Sequence, residues 1–358
     1  MMSAEFVSTA NADRRESVAS IGSFNSIGAI RLFAAWLVIV GHSFPLGGFG
    51  EDPLIALTAN QIALGRVSVD VFFCLSGYLI AKSFENRGGL FAFAWARFLR
   101  IYPAYWVCIA VTAFIASPIL NGSVAPDYFL KNLPLLVGGE GYIAGTATEN
   151  GIPTPINGAL WTLKWELLAY IFCGAVGLAG WLRKKRHILA MFLLVWAVFV
   201  YKIYAYPGLA TSPTITSGWR LFTFFLAGML FYAARDRIIL DRFLFAGSLL
   251  VLVLALVAGT QWPLSSGGVF YAVAPLPLCY AVFYLTKKLP LQKINAKNDI
   301  SYGVYIYGTL LLNVTAQTLP IGSWAVYLTL VTMLTVVLSW ASWLLIEKPA
   351  LRLKRLVH

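Results

Sequence analysis

The sequence predicts an all-α integral-membrane protein, a bundle of about ten transmembrane helices with both termini in the cytoplasm. Three observations predict it. The 358 residues are 59% hydrophobic and only 12% charged, about half the charged fraction of a soluble domain, and the mean hydropathy is +0.75. Apolar runs of roughly 20 residues, the length that crosses a hydrocarbon core, recur along the chain. The Lys and Arg residues cluster in alternate connections between those runs.

The polar opening, MMSAEFVSTANADRRESVAS, lacks the short apolar core and cleavage site of a signal peptide. It reads as a cytoplasmic tail covering about residues 1–26. Candidate spans follow at about 27–45, 68–85, 102–120, 160–181, 188–206, 219–234, 243–260, 268–286, 300–318 and 323–346. They form one transmembrane unit over about 27–346, with a second cytoplasmic tail at about 347–358. One set of connections holds Arg14 and Arg15; Lys82, Arg87, Arg97 and Arg100; Arg183, Lys184, Lys185 and Arg186; Arg235, Arg237 and Arg242; Lys287, Lys288, Lys293 and Lys297; and Lys348, Arg352, Lys354 and Arg355. The opposite set and its helix ends hold only Arg66, Lys131, Lys202 and Arg220. That asymmetry places both termini inside. The net charge of +12 is mostly this topology signal, and anionic lipid accounts for it better than nucleic acid does. Cys74, Cys108, Cys173 and Cys279 lie in apolar runs without a CxxC pair, so neither a disulfide framework nor a metal site is indicated. The long connection near 121–159 is rich in Gly, Pro and Asn and reads as an ordered lid or an acceptor-binding surface on the outer face.

Charges inside apolar spans are costly and mark function by default. The first span, IRLFAAWLVIVGHSF, carries Arg31 and His42. Eleven residues at about 100° each make three turns plus roughly 20°, so both lie on one helix face, about 16 Å apart along the axis. Arg31 then sits in the inner half and His42 near the outer end. Asp70 enters the second span from the outer side and is expected near the depth of His42, where a carboxylate would hold the imidazole in one tautomer; it also reads as a helix cap. Glu166, with Lys164 beside it, enters the fourth span from the same side. By depth, His42, Asp70 and Glu166 are expected to converge. On the inner side, WARFLRIYPAYW puts Arg97 and Arg100 on one face, and paired guanidinium forks suit phosphate; the same pair also reads as a topology-setting cluster. Together the two sides suggest a phosphorylated donor held inside and a histidine base acting on an acceptor hydroxyl near the outside.

These segments resemble the acyltransferase 3 family of integral-membrane acyltransferases, over about residues 24 to 352. IRLFAAWLVIVGH is similar to its first-helix pattern of a basic residue, ten residues and a His. VSVDVFFCLSGYLIAKSF resembles its second-helix signature, FAWARFLRIYPAYW its Arg-x-x-Arg motif, and GALWTLKWELLAY its fourth-helix pattern. ISYGVYIYG and IEKPA resemble its late elements. Gly308 stands where the family often has a second histidine, and Ala159 where it has Ser.

The resemblance implies transfer of an acyl group, most often acetyl, from acyl-CoA to a hydroxyl of an envelope or secreted carbohydrate, at the bacterial cytoplasmic (inner) membrane. Acetyl-CoA would be a donor substrate, with no permanently bound cofactor. Exopolysaccharide, O-antigen and lipid-linked oligosaccharide stay open as acceptors, and polysaccharide biosynthesis machinery is an expected partner. By carry-over, His42 is catalytic and Arg31, Arg97 and Arg100 serve the donor. Asp70 and Glu166 are further catalytic candidates, and Ser76, Trp161, Lys164 and Tyr302 are candidates for binding the acceptor or lining the site. Direct attack by the hydroxyl is preferred over an acylated His42. The alternative class is a transporter or flippase for a lipid-linked saccharide, which would show repeat-related halves and paired broken helices; only YAVAPLPLCY hints at a broken helix.

Overall fold

The computed structural model describes residues 17–18, 25–87, 89–136, 143, 148–149, 152–153, 155–205, 215–261 and 268–357. Arg14 and Arg15, most of the opening tail and much of the connection near 121–159 lie outside them. The regular structure of the described residues is helical apart from one antiparallel pair, Thr148–Glu149 (β1) with Ile152–Pro153 (β2), and an isolated bridge between Ser17 and Ile239.

The helices are α1 (Ile27–Leu46), α2 (Pro53–Leu57), α3 (Leu64–Glu85), α4 (Leu90–Val111), α5 (Ser117–Asn121), α6 (Pro126–Asn132), α7 (Trp161–Leu178), α8 (Lys185–Ala205), α9 (Ile215–Ala233), α10 (Arg242–Gln261), α11 (Gly268–Val273), α12 (Pro275–Lys288), α13 (Ser301–Thr318), α14 (Trp324–Ser342) and α15 (Lys348–Arg352). Among the described residues six helices are long and apolar enough to cross a membrane: α1, α3, α4 run on to Asn121, α8, α10, and α14 run on to Leu356. The other four predicted spans also fold as helices, but α7, α9, α11 with α12, and α13 are shorter or more polar. Lys164, Glu166 and Arg220 sit on two of them. The predicted span at 268–286 is broken at Ala274, because Pro275 and Pro277 have no N–H to donate and Pro275 opens a new helix.

Two π-helical turns, Thr112–Ala116 and Trp343–Glu347, have one local cause. A proline inside a helix clashes with the carbonyl four residues earlier. Pro118 and Pro349 each place that clash inside the widened turn, at Phe114 and Leu345. The second turn swings Glu347 inward, where it is 2% exposed.

The bundle centre is α3 packed on α9, with α1 against α3 and α13, and α13 against α14. Small residues let α3 and α9 approach closely. A Cβ on Gly77 would fall 2.0 Å from the Phe225 carbonyl oxygen, and one on Gly228 2.0 Å from that of Cys74. In contrast, only 6% of the apolar window of α10 and 22% of that of α8 are buried, so these two helices are peripheral and turn apolar surface outward. All four cysteines are free and buried.

Candidate active site

The basic end of the bundle, where α1 and α13 begin and α3 and α14 finish, holds a cavity of about 310 Å³. Arg31 of α1, Arg97 and Arg100 of α4 and Lys354 give it positive charge. Asp299 and Glu166 give it negative charge, and Phe72, Tyr302, Tyr305 and Trp343 give it an apolar wall. Arg97 and Arg100 share a face of α4, as their spacing predicts. They lie within a continuous helix from Leu90 rather than ahead of a span starting near 102.

Asp299 organises two of the arginines. Its Oδ2 accepts from Arg31 Nη1 at 2.7 Å and from Arg100 Nη2 at 2.6 Å. Arg100 also reaches Glu347 at 3.6 Å. The connection NAKNDIS is built to hold Asp299. Asn295 takes a left-handed backbone (φ 56°), a conformation Asn tolerates better than most residues. Its side-chain amide donates to Asp299 Oδ1 at 2.8 Å and to the Gly28 carbonyl at 3.1 Å. Ser301 adds a short bond to the same Oδ1. Burial alone would raise the Asp299 carboxyl, but Arg31 and Arg100, helped by Ser301 and Asn295, outweigh it and hold the group well below the usual carboxylate range.

Arg97 differs. Among the described residues it has no carboxylate within ion-pair distance. Its Nη2 donates weakly to Ser83 Oγ at 3.4 Å, and its Nε is buried without a hydrogen-bond partner. Its guanidinium lies over the Tyr170 ring at 5.7 Å and the Phe93 ring at 6.0 Å. It is a partly buried cation with donors to spare.

His42 lies on the same helix as Arg31 but outside this cavity. Its Nδ1 is 2.8 Å from the Val38 carbonyl oxygen, one turn back on α1. A carbonyl only accepts, so Nδ1 carries the proton in the neutral ring and Nε2 keeps a free lone pair. Gly65, near the start of α3, is a close neighbour of the ring: a Cβ there would fall 2.7 Å from His42 Cε1. Val69, one turn along α3 from Gly65, lines the cavity. About 6 Å of helix rise therefore separates the residue touching the imidazole from the cavity wall.

The expected convergence of His42, Asp70 and Glu166 is not what the structure contains. α3 begins at Leu64 rather than near 68, so the Gly65 turn meets His42 and Asp70 lies about 7.5 Å further along α3. There Asp70 is fully buried and accepts from Arg220 of α9 at 2.9 Å, not from His42. Glu166 lines the arginine cavity instead, and its Oε1 accepts a short bond from Tyr170. The reason lies in the segment before α7. Asn157 donates to the Ile306 carbonyl at 2.8 Å and accepts from Thr309 at 2.7 Å, which draws residues 156–160 into the bundle. α7 thus starts inside rather than at the outer surface. Ser76 and Tyr302 line the cavity, whereas Trp161 and Lys164 do not; Lys164 Nζ lies 5.8 Å from the Trp165 ring. Sequence reasoning missed Asp299, Glu347 and Lys354. The one signal for Asp299 was an acidic residue closing a connection with four lysines, just ahead of ISYG.

The geometry joins a cavity lined by cations at one end of α1 to a partly buried imidazole towards the other. The acyltransferase 3 family, described as an acyltransferase domain, matches residues 24–344, a stretch that includes His42 and all three arginines. The chain belongs to the acyltransferase 3 family. It is similar to an O-acetyl transferase of Shigella phage Sf6, at 28% identity over 90% of this chain and 95% of that protein. It is also similar to nodulation protein 10 of Rhizobium leguminosarum bv. viciae, at 28% identity over 94% and 95% of the two chains. The exopolysaccharide production protein ExoZ of Rhizobium meliloti (strain 1021) is 25% identical over 82% of this chain and 92% of its own. No solved structure matches the chain. This acyltransferase 3 member is an O-acyltransferase with several helices suited to crossing a membrane.

The contact between Gly65 and the imidazole yields a test within this family assignment. Gly65→Ala adds a methyl where the ring stands. The ring can swing away at little energetic expense, and Ala favours helix over Gly by about 1 kcal/mol. Stability in detergent should therefore hold while acyl transfer falls by about 10²-fold, the scale of an ångström-level misplacement. Unchanged transfer by Gly65→Ala would mean that the position of the ring is immaterial.

Proposed function

We propose that this enzyme moves an acyl group, most simply acetyl, from cytoplasmic acyl-CoA to a hydroxyl of an envelope or secreted carbohydrate, at the inner membrane of a bacterium. The observation that carries the reading is Arg97. It is a partly buried guanidinium, its Nε buried and unpaired, with unused donors in a cavity already rich in cations, at the end of the bundle where Lys and Arg accumulate. An anionic nucleotide end suits that environment, because guanidinium forks bind two phosphate oxygens at once. The apolar wall of Phe72, Tyr305 and Val69 then leads the acyl-bearing arm along α3 towards His42.

In the proposed reaction, His42 Nε2 takes the proton from the acceptor hydroxyl. The hydroxyl oxygen attacks the thioester carbonyl, the carbon–sulfur bond breaks, an ester carbon–oxygen bond forms, and the CoA thiolate leaves and takes up a proton. The imidazole is aligned by the Val38 carbonyl. Similarity to proteins named for O-acetyl transfer and exopolysaccharide production supports acetyl as the group and polysaccharide as the acceptor class. The envelope machinery that makes such polymers is the expected partner.

Removing one charged donor from a phosphate contact costs roughly 1.5–3 kcal/mol, or about 10- to 100-fold in affinity. Arg97→Gln should raise the KM for acetyl-CoA by that factor in a CoA-release assay, with a much smaller change in kcat. Among the described residues no carboxylate lies within ion-pair distance of Arg97, so the variant should stay folded. A variant with wild-type KM would remove Arg97 from the donor site.

A further inference from the structure

A second concavity, of about 660 Å³, opens at the basic end where α8, α9, α10 and α12 meet. Its wall is apolar: Leu189 of α8, Leu230 and Phe231 of α9, Leu244 of α10, and Leu276 and Pro277 of α12. Three cations stand at its mouth, Lys185 and Arg186 at the start of α8 and Arg237 in the α9–α10 connection. Helix polarity brings them together, since α8 starts where α9 has ended and α10 is about to begin.

None of the three cations is ion-paired among the described residues. Of the nearby carboxylates, Asp236 is exposed and forms no ion pair with the three cations, and Asp241 is engaged as the cap of α10, accepting from the Phe243 and Leu244 amides at 2.7 and 3.2 Å. The neighbouring Arg183 is committed to Glu85 at 3.2 Å. The groove also has depth. Tyr280 ties α12 to the α9–α10 connection, donating to the Ile239 carbonyl at 2.8 Å, and Leu276 lies a further turn, about 6 Å, below it. Because α8 and α10 are peripheral, the groove opens at the edge of the bundle rather than into its interior.

An apolar slot capped by cations at the membrane surface fits one chemical class. We propose that this groove binds a single anionic phospholipid, its phosphate on Lys185, Arg186 and Arg237 and an acyl chain along the α9–α12 wall, in preference to a zwitterionic lipid. Juxtamembrane cations attract anionic headgroups, and the wall supplies the contact a soluble phosphate lacks.

The test is native mass spectrometry on the detergent-purified full chain, titrated with phosphatidylglycerol or with phosphatidylcholine of the same acyl chains. The wild type should retain one phosphatidylglycerol with roughly tenfold preference. The triple variant Lys185→Gln, Arg186→Gln, Arg237→Gln should bring the two lipids to parity. Lys184→Gln, exposed on the same connection but outside the groove, should leave the preference intact, and thermal unfolding in detergent checks that each variant is folded. Ser248→Trp, which fills the groove from α10, should reduce retention of both lipids. Equal retention by the wild type, a preference that survives the triple variant, or competition by glycerol 3-phosphate as strong as by the lipid would each overturn the proposal.

Discussion

His42→Ala should abolish acyl transfer and leave donor binding almost untouched. A positioned general base contributes about 10²–10⁴-fold to rate, and the ring's own chain contact is a single bond to Val38. His42 does not line the arginine cavity, so acetyl-CoA should bind the variant with wild-type affinity, readable by isothermal titration in detergent. His42→Gln keeps a polar group of similar reach but no base, and should be equally inactive. Loss of donor affinity in His42→Ala would show that the two ends of α1 form one site rather than two.

The second large effect is expected at Arg100, and it is of another kind. This guanidinium joins Asp299 at 2.6 Å to Glu347 at 3.6 Å, and Glu347 is almost wholly buried. Breaking a buried pair by deleting one partner strands the other and costs about 3–5 kcal/mol. Arg100→Gln should therefore lower stability by that amount as well as weaken the donor site. Arg100→Lys keeps the charge but loses the fork that serves two carboxylates, and should lie between the two. The contrast with Arg97→Gln is diagnostic: two arginines one turn apart on α4, one needed for the fold and the donor, the other for the donor alone. Equal stabilities of Arg100→Gln and Arg97→Gln would contradict the division.

The sequence read well where a charge had to be explained within its own helix. Arg31 and His42 on one face, and Arg97 with Arg100 on another, followed from helical periodicity and the expense of charge in hydrocarbon, and the structure keeps both pairings. Reading failed where depth had to be carried from one helix to the next. Asp70 and His42 were expected at one level, yet α3 starts a turn earlier and Gly65, not Asp70, meets the ring. Glu166 was assigned to the outer side because the fold of residues 156–160 into the bundle depends on bonds to α13, about 150 residues away. Asp299 escaped for a similar reason, since its partners Arg31 and Arg100 are 268 and 199 residues distant. The count of spans was the other loose end. Ten helical places were legible, but length and hydropathy mark six of them as membrane-crossing among the described residues, the other four being shorter or less apolar over that length.

The most direct test of the central claim is the base-labile O-acyl content of envelope polysaccharide, measured by proton NMR in a strain deleted for this gene and complemented with wild type or with His42→Ala at matched membrane levels. The account predicts that the acyl signals return with the wild type alone and vanish on mild base treatment. Equal recovery with both forms would contradict His42 as the base, and acylation indifferent to the gene would contradict carbohydrate as the acceptor.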